Sequence, residues 1–176
     1  MERISLQLPG PEHEFAANQF KDEFFACGEF TINGSALFDR MEYGEWLAFI
    51  TRNRSEETRS PGWVVATTFF GVRETDQRIV GMIDIRHSLG SAFLAEYGGH
   101  IGYSVRPSER RKGYAVQMLE LALDYARSIP LLKVMLGCYA DNMASIRTLL
   151  KCDGVLKEVK SYLDGKPMHI YWIDLG

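Results

Sequence analysis

The spacing of apolar residues changes period several times along this chain, and each change marks an element. The opening "RISLQLP" alternates apolar and polar residues and stops at Pro9, which predicts a short strand. From Glu12 the period lengthens. Phe15, Ala16, Phe20, Phe24 and Cys27 recur near helical spacing, and Gly28 supplies a stop. A second helical region, "SALFDRMEYGEWLAFITRN", places Leu37, Met41, Leu47 and Ile50 on one face, with Gly44 as its weak point. The polar, breaker-rich "RNRSEETRSPG" then predicts an exposed loop.

Beyond residue 62 the texture becomes β-rich. "WVVATTFFGVR" and "RIVGMIDIRH" flank "ETDQ" as a hairpin, and "GHIGYSV" forms a third strand. A long helix after Gly113 sets Ala115, Leu119, Ala122 and Ala126 on one face, and Pro130 ends it. "LKVMLGCY" is a short apolar strand. "DNMASIRTLLK" is a short helix that Asp141 or Asn142 can cap. Two alternating strands, "VLKEVKSYL" and "HIYWIDL", close around the turn "DGKP". The order β-α-α-β-β-β-α-β-α-β-β predicts a mixed α/β sheet in one domain spanning residues 1–176. Residues 10–62 read as a helical flap over one end.

Composition narrows the function classes. The 176 residues suffice for a core without disulfides, since chains of this size bury roughly 70% of their extended surface. A net charge of −3 argues against a dedicated nucleic-acid binder. Three cysteines without a CxxC read as reduced thiols, and no apolar run approaches a membrane span, so a cytoplasmic location is expected. No spacing of His, Cys or carboxylates suggests a metal site.

One stretch runs against helix chemistry. In "VRPSERRKGYA" the residues Arg110, Arg111 and Lys112 crowd the start of the long helix, where the partial positive charge favours acidic residues. A solvated loop tolerates this, and a nucleic-acid patch would use it. An anion cradle explains it: amides at a helix start are unpaired, and Gly113 lets a phosphate approach the backbone. Neither the P-loop nor the dinucleotide fingerprint is present.

What is present is Arg110-x-x-Gly113-x-Ala115, after a strand and opening a helix, with "DNMAS" at the next helix. This resembles the Q/R-x-x-G-x-G/A acyl-CoA signature and the Asn-x-x-Ala/Ser element of the GNAT N-acetyltransferase superfamily. The resemblance extends to element order over the whole chain, and is nearest to a group of bacterial acetyltransferases carrying "GGHIGYSVRPSERRKGYA", "NMASIRTL" and "YWIDL". It implies a mixed, mostly antiparallel central sheet flanked by helices. It also implies acetyl-CoA as cofactor, with its pantetheine arm between two splayed strands.

Carried onto this sequence, the resemblance has main-chain groups of Tyr103 and Val105 bond the pantetheine. Backbone around Arg110, Arg111, Lys112, Gly113, Tyr114 and Ala115 wraps the pyrophosphate, and Asn142 and Ser145 meet the arm. The implied reaction is direct attack of a primary amine on the thioester, with no enzyme nucleophile. His100 and then Glu96 are the base candidates by position, with His87 nearby. The general acid is open, because Leu149 stands where many relatives place a tyrosine. That departure leaves a non-catalytic acyl-CoA-binding regulatory module as the alternative. The acceptor, a small-molecule or peptide amine, is not selected, although Asp84 and Glu96 suit a cation and Trp46, Trp63 and Tyr97 are candidates for the mouth. The final strand offers an apolar edge for a homodimer.

Overall fold

The computed structural model describes residues 1–176. Its strands form two antiparallel sheets that meet at one corner. The first holds β1 (Ile4–Gln7), β2 (Ala66–Arg73), β3 (Ile79–Arg86) and β4 (Ile101–Val105), in that order. The second holds β5 (Lys133–Tyr139), β7 (Pro167–Asp174) and β6 (Val155–Ser161), with β7 in the middle. The helices are α1 (Glu14–Ala26), α2 (Tyr43–Arg52), α3 (Tyr114–Arg127) and α4 (Met143–Lys151). Every predicted strand and helix is present, and the sheet is mixed α/β with helices on its faces.

Alternation along β2 and β3 divides the core in two. Phe69, Ile83 and Ile85 join Met118, Leu119 and Ala122 of α3 in one apolar cluster. Phe70 and Met82 join Phe20 and Phe24 of α1 and Trp46 of α2 in the other. The "flap" of residues 10–62 is therefore bound by buried aromatic side chains to the face opposite α3. Trp46 is wholly buried, its ring tilted against Phe38 with centroids 4.7 Å apart, and its indole N–H donates to the Ser35 carbonyl at 2.7 Å. Its place is in the core, not at a mouth.

Two expectations are corrected. The second helix starts at Tyr43, not near Ser35. Ala36 and Leu37 adopt left-handed backbone angles, φ +50° and +69°, which no helix contains. The tie from Trp46 to Ser35 fixes this segment against its local periodicity. The final strand is not an edge either: β7 pairs with β5 on one side and β6 on the other. The open edge belongs to β6, whose Val155 and Val159 are exposed.

Residues 28–37 strap across β4. Gly34 packs on Gly102 so closely that a Cβ there would overlap the Gly102 carbonyl, and its φ is +70°. Ser104 Oγ donates to the Asn33 carbonyl at 2.6 Å. Below, an ionic network holds the turn after β4. Glu23 accepts the Ser108 amide at 2.7 Å and pairs with the buried Arg106. Glu109, buried in the turn, pairs with Arg73 at 2.9 Å, Arg78 at 3.1 Å and Lys112 at 2.8 Å.

Gly34→Ala should cost about 2 kcal/mol from left-handed strain and overlap. Melting temperature should fall by about 4–8 °C. The control Gly44→Ala, with open space around it in α2, should hold or gain up to about 1 kcal/mol. Thermal unfolding checks both. Burial pushes Glu23 and Glu109 up, but the Ser108 bonds and Arg106 for Glu23, and Lys112 and Arg73 for Glu109, outweigh it and hold both carboxyls low. A folded-state value below the unfolded one gives stability at neutral pH that is lost as pH falls through the folded value. Melting temperature should therefore drop on acidification through and below the ordinary carboxylate range. Glu109→Gln should melt lower at neutral pH and show a smaller acid-dependent drop.

Candidate functional site

β4 and β5 touch and then part. His100 N–H donates to the Met135 carbonyl at 2.7 Å, and the Met135 amide donates back to His100 Nδ1 at 3.0 Å. After this junction the two strands diverge, each paired only on its outer side. In antiparallel pairing, alternate residues turn their main-chain groups to alternate sides. Arg106 N–H bonds the Val80 carbonyl and Arg86 N–H the His100 carbonyl, so the even-numbered residues of β4 serve β3. Main-chain groups of Ile101 and Tyr103 therefore point into the opening, as does the Val105 amide, while the Val105 carbonyl accepts Arg110 Nε at 3.2 Å. Across it, Leu132 and Ala140 serve β7, which leaves Gly137 and the Tyr139 amide pointing in from β5, while the Tyr139 carbonyl accepts the Asn142 amide at 3.0 Å. Both wall strands thus present unpaired peptide groups to one cleft of about 530 Å³.

The basic turn lies past the end of β4. Gly113 has φ +84° and forms the N-cap of α3. The amides from Arg111 to Ala115 have no acceptor within the chain. Arg111 also has a left-handed backbone, φ +64°. The side chains behave less uniformly than the sequence suggests. Arg110 is gripped by both oxygens of Glu29 at 2.7 Å and lies over the Phe24 ring. Lys112 is held by Glu109. Arg111 is exposed and has no ion-pair partner. Tyr114 turns inward, 2% exposed, and its hydroxyl donates to Glu2 at 3.2 Å. Ala115 is half-buried in the first turn of α3. The turn thus offers an anion its backbone amides and the Arg111 charge.

α4 closes the floor. Asn142 caps it by accepting the Ser145 amide at 3.1 Å. Ser145 Oγ in turn accepts from the Tyr103 hydroxyl at 3.3 Å. Both residues line the cleft, as does Leu149. Burial pushes the Tyr103 phenol up to about 12, against the Ser145 bond. Tyr139, also on the wall, donates to Asp164 at 2.8 Å and is held at about 12 by that bond. Burial raises the Cys138 and Cys152 thiols to about 11, so both stay protonated at neutral pH.

The base candidates are not brought together. His100 is 5% exposed, with its ring in the strand junction and absent from the cleft wall. Burial, and then the Arg86 charge, pushes it down to about 4. His87 bonds Thr67 at 3.0 Å, and Thr67 bonds Tyr125 of α3, so this histidine sits on the far face of the sheet. Glu96 is exposed and bound to Lys160 at 2.9 Å.

A second cavity of about 430 Å³ adjoins the cleft, and the two share Thr31, Asn33, Gly34, Arg86 and Phe93. Trp63 lines the second cavity and Tyr97 the first. Asp84 lies on the floor of the second, 4% exposed. Thr68 donates to it at 2.8 Å, and Arg86 Nε lies 3.2 Å away. Arg86 also donates to the Gly98 and Gly99 carbonyls at 3.0 and 3.2 Å, which ties the splay point to this floor. The sequence pointed to the loops 28–62 and 88–98 for acceptor specificity without singling out Asn33 or Gly34, and it missed Thr68 and Arg86. Only the alternation of β3 hinted at the last, since Asp84 and Arg86 share a strand face.

Comparisons with known proteins bear on the family and the fold. The family model described as an acetyltransferase (GNAT) domain matches residues 11–155. No curated protein matches the sequence. Among solved structures, a ribosomal-protein-S5-alanine acetyltransferase of Vibrio fischeri superposes with TM-score 0.73 at 15% identity, covering 99% of this chain and 94% of its own. RimJ of Mycobacterium smegmatis, solved with CoA-disulfide, gives 0.72 at 15% identity, covering 98% and 85%. MccE, a self-immunity acetyltransferase solved with acetyl-CoA and AMP, gives 0.70 at 18% identity, covering 99% and 93%. At these identities the superpositions show the fold alone, but the family match spans most of the chain. The chain belongs to the GNAT acetyltransferase family and is an acetyl-CoA-dependent acyltransferase.

Proposed function

We propose that the protein transfers the acetyl group of acetyl-CoA to a primary amine by direct attack, with both substrates bound together. The observation that carries this reading is the pair of adjoining cavities. One is walled by strands with unpaired peptide groups, and the other is floored by a buried carboxylate. Each substrate has its own chamber, and the chambers meet beside Gly34 and Arg86.

In this reading Tyr103 and Val105 bond the pantetheine arm through main-chain groups. The amides from Arg111 to Ala115 hold the pyrophosphate, as unpaired amides at a helix start do. Lys112 and Arg110 steady the turn through Glu109 and Glu29, and Asn142 and Ser145 shape the floor under the arm. The Tyr103 amide is the donor for the thioester oxygen, where negative charge develops. Cys138 and Cys152 take no covalent part, since burial keeps their thiols protonated at neutral pH. Juxtaposing the substrates removes much of the entropic barrier.

Gly113→Val should lower acetyl-CoA affinity by about tenfold or more, because a β-branched residue resists the left-handed angle that the cradle requires. Arg111→Ala should weaken binding by roughly threefold to tenfold at low salt, and by less at high salt. Arg110→Gln should show a smaller salt-dependent change, because its charge already faces Glu29. Titration calorimetry with acetyl-CoA measures all three. Release of free CoA thiol in a screen of primary amines tests transfer itself. Tight acetyl-CoA binding with no amine-dependent release would sink the transfer reading.

A further inference from the structure

The second cavity separates its polar and apolar groups. On the polar side, Asp84 is 4% exposed and is bonded by Thr68 and Arg86, with the His87 ring near enough to add charge when protonated. Arg86 divides its donors among Asp84 and two loop carbonyls. Burial outweighs Arg86, Thr68 and His87 together, and the carboxyl sits above its ordinary range. A buried carboxylate short of positive charge is stabilised by a ligand cation. Ser35 lines the same cavity, 1% exposed, and its hydroxyl has no partner.

On the apolar side stand aromatic rings. Phe49 meets Trp63 edge to face at 5.0 Å. Trp63 and Phe93 remain 41% and 47% exposed, open to whatever enters. The volume of about 430 Å³ is at the small end for small-molecule sites, ~300–1,000 Å³. Asp84 is also the strand partner of Gly102, which lines the acetyl-CoA cleft. Over Gly102, Gly34 of the strap and the Arg86 guanidinium take the place of a side chain, and both border the two cavities. Neither His100 nor Glu96 has such a position.

We infer that Asp84 is the catalytic base and that the acceptor is a compact primary amine with an aromatic or alkyl body. The ammonium sits on Asp84 and the body lies against Phe49, Trp63 and Phe93. This rests on the transfer reading above. The Asp84 carboxylate takes one proton from R–NH3+, and the nitrogen lone pair forms the C–N bond to the thioester carbon. The C–S bond breaks as the tetrahedral adduct collapses. The second nitrogen proton passes to the departing thiolate, which leaves as CoA thiol, and Asp84 returns its proton to water.

The test measures thiol release with acetyl-CoA and three probes: 2-phenylethylamine, spermidine and a hexapeptide with a free N-terminus. The expected order has 2-phenylethylamine ahead by about tenfold or more in kcat/KM, as a fitted apolar pocket gives. Asp84→Asn should cut its kcat by about 10²-fold or more while acetyl-CoA affinity in calorimetry stays unchanged. Trp63→Ala, at the mouth, should raise its KM with kcat preserved. Equal or faster turnover of spermidine or the hexapeptide overturns the acceptor class. Full activity of Asp84→Asn overturns the base. Loss of acetyl-CoA binding in that variant also overturns it, since the residue then serves the fold. Silence with all three amines, despite tight acetyl-CoA binding, counts against the transfer reading itself.

Discussion

The structure depends on one pair of hydrogen bonds, those joining His100 to Met135. They hold β4 and β5 together at a single point and let them part beyond it. A continuous sheet would have satisfied every peptide group on both strands and left no cleft. The divergence instead leaves main-chain donors and acceptors of Tyr103 and Gly137, and the amides of Val105 and Tyr139, facing one opening. Unpaired peptide groups are costly to bury without partners. An extended ligand with amides of its own meets that need, and so a break in the sheet becomes a binding surface. His100 serves this junction: its buried ring accepts the Met135 amide, a role that requires a neutral nitrogen and accords with its low proton affinity.

The charges around the turn after β4 follow a similar economy. Four basic residues stand close in sequence there, yet only Arg111 is free. Arg106 and Arg110 are held by Glu23 and Glu29, both at or near the C-terminal end of α1, while Lys112 is held by Glu109. The pairing anchors the turn to α1 and to β2 through Arg73. An anion then meets a fixed set of amides, with little reorganisation needed on binding. The same carboxylates connect the cradle to the strap of residues 28–37, whose Gly34 roofs β4 and whose Asn33 borders both cavities. The two chambers therefore share structural supports.

Asp84 and Arg86 link the second chamber to the first. Two residues apart on β3, they share a face. Arg86 reaches Gly98 and Gly99 at the splay point while also touching the Asp84 carboxylate. A carboxylate this buried is kept reactive by being incompletely compensated, which is the environment general bases need. The aromatic rings opposite it add apolar area and exclude water. Desolvation, more than any single contact, gives this cavity its chemical character.

The sequence by itself determined the order and type of the seven strands and four α-helices, because apolar periodicity reports which faces each segment must bury. It also singled out the turn before α3, since cations and a glycine at a helix start conflict with local preference. Tertiary structure alone decided the rest. The left-handed pair Ala36–Leu37, the start of α2 at Tyr43 and the burial of Trp46 depend on packing between distant segments. The central place of β7 depends on strand pairing across the chain, which alternation in a single strand cannot encode. His100 and Asp84 show the limit most clearly. Both are polar residues in or beside strands, and their residue types permit the same chemistry. Only the three-dimensional arrangement places one ring inside a strand junction and one carboxylate on a cavity floor, because burial and partners, not residue type, set what a titratable group can do.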